Sequence, residues 1–124
     1  MGIRFVGRKQ VFRSLEQNLG SVFQAYPIKD GFFGEKGLSK GVRVIYSKEP
    51  EKSAKDFFNR IGKGGILDLK TLAGGVLSRM KDGTIISYRK ITSTVGSPAV
   101  EIRFENKKPK FGIEDQKIHF VKAN

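Results

Sequence analysis

The hydrophobic period of this chain changes once, at Gly62-Lys63-Gly64-Gly65, and that change limits what it can fold into. Before it, apolar residues recur at helical steps; after it, they alternate. From about Gly7 to Tyr26, the residues Val11, Phe12, Leu15, Leu19, Val22 and Phe23 share one helical face, which Pro27 and Gly31 end. Lys29 to Gly41 carries four glycines with Phe32, Phe33 and Leu38 between them, the composition of a packed loop or short turns. Val42 to Tyr46 reads as a short strand. A second helix is expected from about Ser47, where Ser47-Lys48-Glu49-Pro50-Glu51 supplies a capping hydroxyl, first-turn carboxylates and an early proline. Phe57, Phe58 and Ile61 form its apolar side, and the glycines stop it.

Downstream, Ile66 to Lys70 reads as an edge strand or a connector. Val76 to Met80 and Thr84 to Ile91 read as strands joined across Lys81-Asp82-Gly83, a strong hairpin signal. Ala99 to Phe104 and Gln116 to Lys122 give two more. The expected fold is α+β, with N-terminal helices packed on a four-stranded antiparallel β-meander. At 124 residues, 38% hydrophobic with ten Phe, one domain with one modest core is expected. Residues 1–62 would be mainly helical and 63–124 the meander.

Strand alternation then sorts the side chains. Ile86, Tyr88, Val100, Ile102, Phe104, Ile118 and Phe120 fall on a core side. Arg79, Ser87, Arg89, Glu101, Arg103, Lys117 and His119 fall on the other, together with the apolar Ile85 and Val121.

Charge points to a partner for that polar side. Lys and Arg number 24 against 12 acids, a formal +12. Small soluble domains usually manage with a net magnitude of about 2–8, so a polyanion is the expected partner. Residues 63–124 hold 12 of the basic and 6 of the acidic residues, half the excess, so the charge is no detachable tail. No cysteine is present and His119 is the single histidine, which excludes disulfide scaffolds, thiolate metal sites, cysteine nucleophiles and multi-histidine metal sites. No cofactor and no metal are expected. Asp56, Asp68 and Asp82 are the acids that a metal-dependent DNase would have to use. No apolar run approaches the roughly 18–20 residues that span a bilayer, so no membrane association is expected. The N-terminal glycines do not make a phosphate-binding loop, because Arg8 and Lys9 stand where Lys and a hydroxyl are required.

The polar set has the parts that RNA cleavage without a metal needs. The 2′-hydroxyl must lose a proton to attack the adjacent phosphate, the leaving 5′-oxygen must gain one, and cations must stabilise the phosphoryl oxygens. Glu101 or His119 would be the base, His119 the acid, and Arg89, Arg103 or Arg79 the cation; imidazole suits either proton role. Ser93 and Thr94, in a polar loop that begins at Thr92, would orient the phosphate. Lys90, Thr92, Lys117 and the loop lysines Lys107, Lys108 and Lys110 are further RNA contacts. The competing readings are a non-catalytic RNA-binding module and a metal-dependent DNase.

Residues 57–121 also carry a recognisable order of short motifs: Asp56-Phe57-Phe58-Asn59-Arg60-Ile61, Arg79-Met80-Lys81-Asp82-Gly83-Thr84, Ile86-Ser87-Tyr88-Arg89, Thr92-Ser93-Thr94, Pro98-Ala99-Val100-Glu101-Ile102 and Lys117-Ile118-His119-Phe120. In this order and spacing the chain resembles C-terminal toxin domains of contact-dependent growth inhibition and related polymorphic toxin systems. It departs from them at Met80-Lys81, where such domains commonly carry a leucine-proline pair, and some members have Arg in place of His119. The resemblance implies a barnase–EndoU–colicin–RelE type of fold and a metal-independent RNase, typically cutting tRNA to leave a 2′,3′-cyclic phosphate. It implies a cognate immunity protein, often acidic, and for some members a requirement for elongation factor Tu. It also implies export as the C-terminal part of a larger toxin, with action in the cytoplasm of the target bacterium.

Overall fold

The structure, a computed structural model, describes residues 12–70, 75–92 and 96–124, apart from the side chains of residues 69 and 70. Among these residues the chain is α+β. Its helices are α1 (Leu19–Ala25) and α2 (Pro50–Ile61). Its strands are β1 (Ile28–Lys29), β2 (Phe32–Phe33), β3 (Glu35–Lys36), β4 (Val42–Ser47), β5 (Ile66–Lys70), β6 (Gly75–Arg79), β7 (Ile85–Arg89), β8 (Ala99–Arg103) and β9 (Gln116–Lys122). β1 and β2 pair with each other. The other seven form one sheet in the order β3-β4-β9-β8-β7-β6-β5, antiparallel except where β4 runs parallel to β9.

Seven strands stand where four were expected. β3 and β4 come from the part expected to be mainly helical, and residues 66–70 pair with β6 as the outer edge. The extra pairing follows from α2, which packs over β4, β9, β8 and β7 and carries the chain from β4 towards the far edge. Twelve helical residues rise about 18 Å, most of the roughly 24 Å that separates β4 from β5 across five strand spacings. No helix among the described residues is long and apolar enough to cross a membrane.

The first helix is shorter than its period suggests. Residues 12–15 are not helical, Glu16–Asn18 is one 3-10 turn, and α1 has seven residues; residues 7–11 lie outside the described residues. Tertiary bonds take the backbone groups that a longer helix would use. The Arg13 amide donates to Gly64 O at 3.0 Å, and Arg13 O accepts from Lys81 N at 2.9 Å. The Asn18 amide group, buried, donates to Ile61 O at 2.8 Å and Lys63 O at 2.9 Å, tying the turn to the end of α2. At the other end of α2, Pro50 occupies the first turn. Ser47 closes β4 there: its Oγ accepts from Glu49 N at 3.0 Å and bonds Ser53 Oγ at 2.6 Å.

Phe57 is the hub of the core. Its ring meets Tyr26 and Phe33 edge-on, at 5.0 and 5.1 Å between centroids, and Phe120 at 5.8 Å. Edge-to-face packing aligns the positive ring edge with a negative face, adding about 0.5–1.5 kcal/mol per pair beyond burial. Ile86, Val100, Ile102 and Ile118 complete the sheet's contribution, all fully buried. The β6–β7 hairpin turns at Gly83, whose φ of +90° an L side chain rarely adopts, and Asp82 Oδ1 accepts from Thr84 N at 3.0 Å. α2 thus covers one face of the sheet; the other carries polar side chains together with the apolar Val42, Val44, Leu77, Ile85 and Ala99.

Candidate active site

The strand register arranges the face turned away from α2 in three rows. Arg79, Ile85 and Arg103 share one. Leu77, Ser87, Glu101, Lys117 and Val42 share the next. Arg89, Ala99, His119 and Val44 share the third. Neighbours within a row stand about 5 Å apart and successive rows about 7 Å apart at the backbone.

Within these rows, Ser87, Arg89, Ala99, Glu101, Arg103 and Lys117 line a recess of about 220 Å³. Arg103 holds the carboxylate at its lip: Nε and Nη2 each lie 3.0 Å from Glu101 Oε2. Oε1 has no hydrogen-bond partner among the described residues. The side chains of Arg89 and Lys117 make no hydrogen bond and no ion pair with any described residue. Small neighbours leave room around the Arg89 stem. Ala99 faces it on β8, and on β6 a Cβ added to Gly75 would stand 3.4 Å from Arg89 Cγ and 2.8 Å from Tyr88 O.

Four larger hollows lie elsewhere. Two, of about 430 and 340 Å³, lie around the start of α2, where Glu49, Glu51 and Asp56 stand among the lysines. The other two are larger still. One, of about 570 Å³, is lined by residues of α1, β1, β2 and β4, including Tyr26, Phe32 and Ile45. The other, of about 730 Å³, lies between Phe12, Phe58 and Leu67. Both are mainly apolar. A phosphodiester requires cations more than volume, so the smaller recess is the candidate site.

His119 shares the face but not the recess. Ala99 stands between it and Arg89, putting the two Cα atoms about 10 Å apart across two strand spacings. The residue is only 4% exposed, and its Nδ1 lies 3.3 Å from Ser97 Oγ. Burial holds its imidazole below the ordinary value of 6.5, and the Lys117 charge adds to this. The expected general acid is thus withdrawn from the surface and disfavoured in its charged form.

The remaining candidates divide. Lys90 departs from the grouping: it turns to the α2 side, its Nζ 3.9 Å from Glu51 Oε2, because it follows Arg89 by one residue and strand alternation reverses its direction. Thr92 is 2% exposed and closes its loop through Thr92 N to Ser97 O and Gly96 N to Thr92 O, at 3.1 and 2.9 Å. Ser93 and Thr94 lie outside the described residues. Arg79 is exposed on the Arg103 row. Lys107 and Lys108 are exposed in the turn beyond Arg103, at the opposite end of the sheet from Arg89, and Lys110 Nζ donates to Asp82 O at 3.3 Å. Asp56, Asp68 and Asp82 sit on three separate elements, and among the described residues no three His, Cys, Asp or Glu are grouped closely enough to hold a metal ion.

Ser97, Gly75 and the recess position of Ser87 escape sequence reading. Alternation places Ser87 on the polar side, but its neighbours depend on register. Ser97 reaches His119 only because β8 and β9 pair. No family model, curated protein or solved structure matches the chain.

Proposed function

We propose that this chain is a metal-independent ribonuclease, the toxin domain of a polymorphic toxin system, and that it cuts tRNA. The observation that supports it is the recess, where a carboxylate with one open oxygen stands beside an arginine and a lysine that no described residue engages. Glu101 Oε1 takes the proton of the 2′-hydroxyl, and Arg89 receives the charge that builds on the phosphoryl oxygens. Arg103 orients Glu101, while Arg79, Lys107 and Lys108 extend the positive surface for flanking phosphates.

The likeness of residues 57–121 to such toxin domains supplies the setting: export within a larger protein, action in the cytoplasm of a target bacterium, restraint by an acidic immunity protein, and in some members dependence on elongation factor Tu. In the same reading, β6 to β9 are the meander of the barnase–EndoU–colicin–RelE type of fold.

The test is incubation of the protein with total RNA in EDTA, followed by mapping of the new ends. Discrete cuts in tRNA carrying 2′,3′-cyclic phosphates are expected. RNA that is bound with a steep salt dependence but left intact would replace this reading with the non-catalytic RNA-binding module. Cleavage of plasmid DNA that EDTA abolishes would replace it with the DNase.

A further inference from the structure

We infer that Lys117 is the general acid of this site, the group that gives a proton to the departing 5′-oxygen; the inference rests on the ribonuclease reading above. Cleavage by the 2′-hydroxyl requires a proton donor as well as an acceptor. Of the six residues lining the recess, Ala99 has no proton to give. The guanidiniums of Arg89 and Arg103 stay protonated at any working pH. The Ser87 hydroxyl, an alcohol, has no acidity advantage over the ribose oxygen it would serve. Glu101 is already taken as the acceptor of the 2′-hydroxyl proton. Lys117 remains, an ammonium with three N–H groups and a flexible stem.

The placement fits the role. β9 sets Lys117 directly across from Glu101 on β8, with Val42 of β4 on its other side. Val42 offers no competing carboxylate, and no described acid lies within 4.0 Å of the ammonium. The backbone beneath is pinned by Lys117 N donating to Gly41 O at 2.9 Å. Acceptor and donor therefore rise from adjacent strands, with Arg89 one row away. His119, the other proton carrier, does not line the recess, is 4% exposed and has Nδ1 against Ser97.

The step balances. The 2′-oxygen bonds to phosphorus as its proton passes to Glu101, the bond from phosphorus to the 5′-oxygen breaks, and that oxygen takes a proton from Lys117. The products are a 2′,3′-cyclic phosphate and a 5′-hydroxyl. The Glu101 proton then returns to the Lys117 amine through solvent.

The experiment uses tRNA joined from two pieces, with elongation factor Tu present, so that the bond mapped above carries either the normal 5′-oxygen or sulfur in its place, a leaving group that departs without a proton. Wild type, Lys117→Arg, Lys117→Ala and Glu101→Gln are compared on both, with thermal unfolding to verify that each is folded. On the oxygen substrate, Lys117→Arg, which keeps the charge, should lose about 10²–10⁴-fold in kcat with little change in KM. On the sulfur substrate both Lys117 variants should recover to near the wild-type rate, while Glu101→Gln stays slow. Lys117→Arg at the wild-type rate on oxygen, or failure of sulfur to restore either Lys117 variant, overturns the assignment and leaves the ribonuclease reading standing. A wild-type protein that leaves both substrates intact removes that reading, and this inference with it.

Discussion

On the α2 side of the sheet and in the N-terminal third, guanidiniums are held by the protein itself. Arg43 donates to Phe33 O and Gly34 O at 3.0 Å and to Lys40 O at 3.3 Å, and lies 4.8 Å over the Phe32 ring. Arg60 is shared between Asp56 and Ser21, and Arg13 between Asn18 and Gln17. On the opposite face Glu101 holds Arg103, but the side chains of Arg89 and Lys117 bond no described residue, although each is set in a defined position by its strand. The same chemical group is thus structural in one region and available in the other. A cation held among neighbours that do not neutralise it keeps its field for a ligand.

Four variants would sharpen or break this contrast. The largest effect is expected at the hub of the covered side. Phe57→Ala should cost about 3–5 kcal/mol in urea unfolding, since its ring is fully buried and meets three others. On the open face, Arg89→Ala should lower RNA cleavage about 10²–10³-fold while changing stability by no more than about 0.5 kcal/mol. Arg43→Ala should do the reverse, losing about 1 kcal/mol, mainly through the part-buried bond to Phe33 O, with unaltered cleavage per folded molecule. If Arg43→Ala abolished cleavage and Arg89→Ala unfolded the chain, the division of labour would be wrong.

The smallest effect concerns His119. Because burial and then Lys117 hold its imidazole below 6.5, the unfolded chain binds that proton more readily than the folded one. Its contribution to stability is complete above pH 6.5 and is lost as the pH falls from there through the lower folded value. Urea unfolding from pH 8 to 5 should therefore show a steeper decline for wild type than for His119→Asn. Parallel curves would show that the imidazole is not shielded.

The two faces also explain what the sequence disclosed. Alternation along β7, β8 and β9 placed Arg89, Glu101, Arg103 and Lys117 on one side because side-chain direction is a property of each strand alone. α2 was legible from its apolar spacing and its glycine stop, and the β6–β7 hairpin from Asp82-Gly83. Partner choice is not local. Nothing within Val42–Ser47 specifies a parallel neighbour 75 residues away, and nothing within residues 12–18 announces that Gly64, Lys81 and Ile61 will claim their hydrogen bonds. The burial of His119 was hidden for the same reason: it depends on Val44, Ala99 and Ser97, each brought up by long-range pairing.

The parallel seam between β4 and β9 has a kinetic meaning. β9 lies inside the sheet and supplies Lys117 and His119; its neighbour β8 is made shortly before it, but β4 on its other side is made some 75 residues earlier. Contacts across such sequence distances close late and slowly. A ribosome-bound chain that has not yet made β9 leaves one border each of β4 and β8 bare and brings no lysine to the recess.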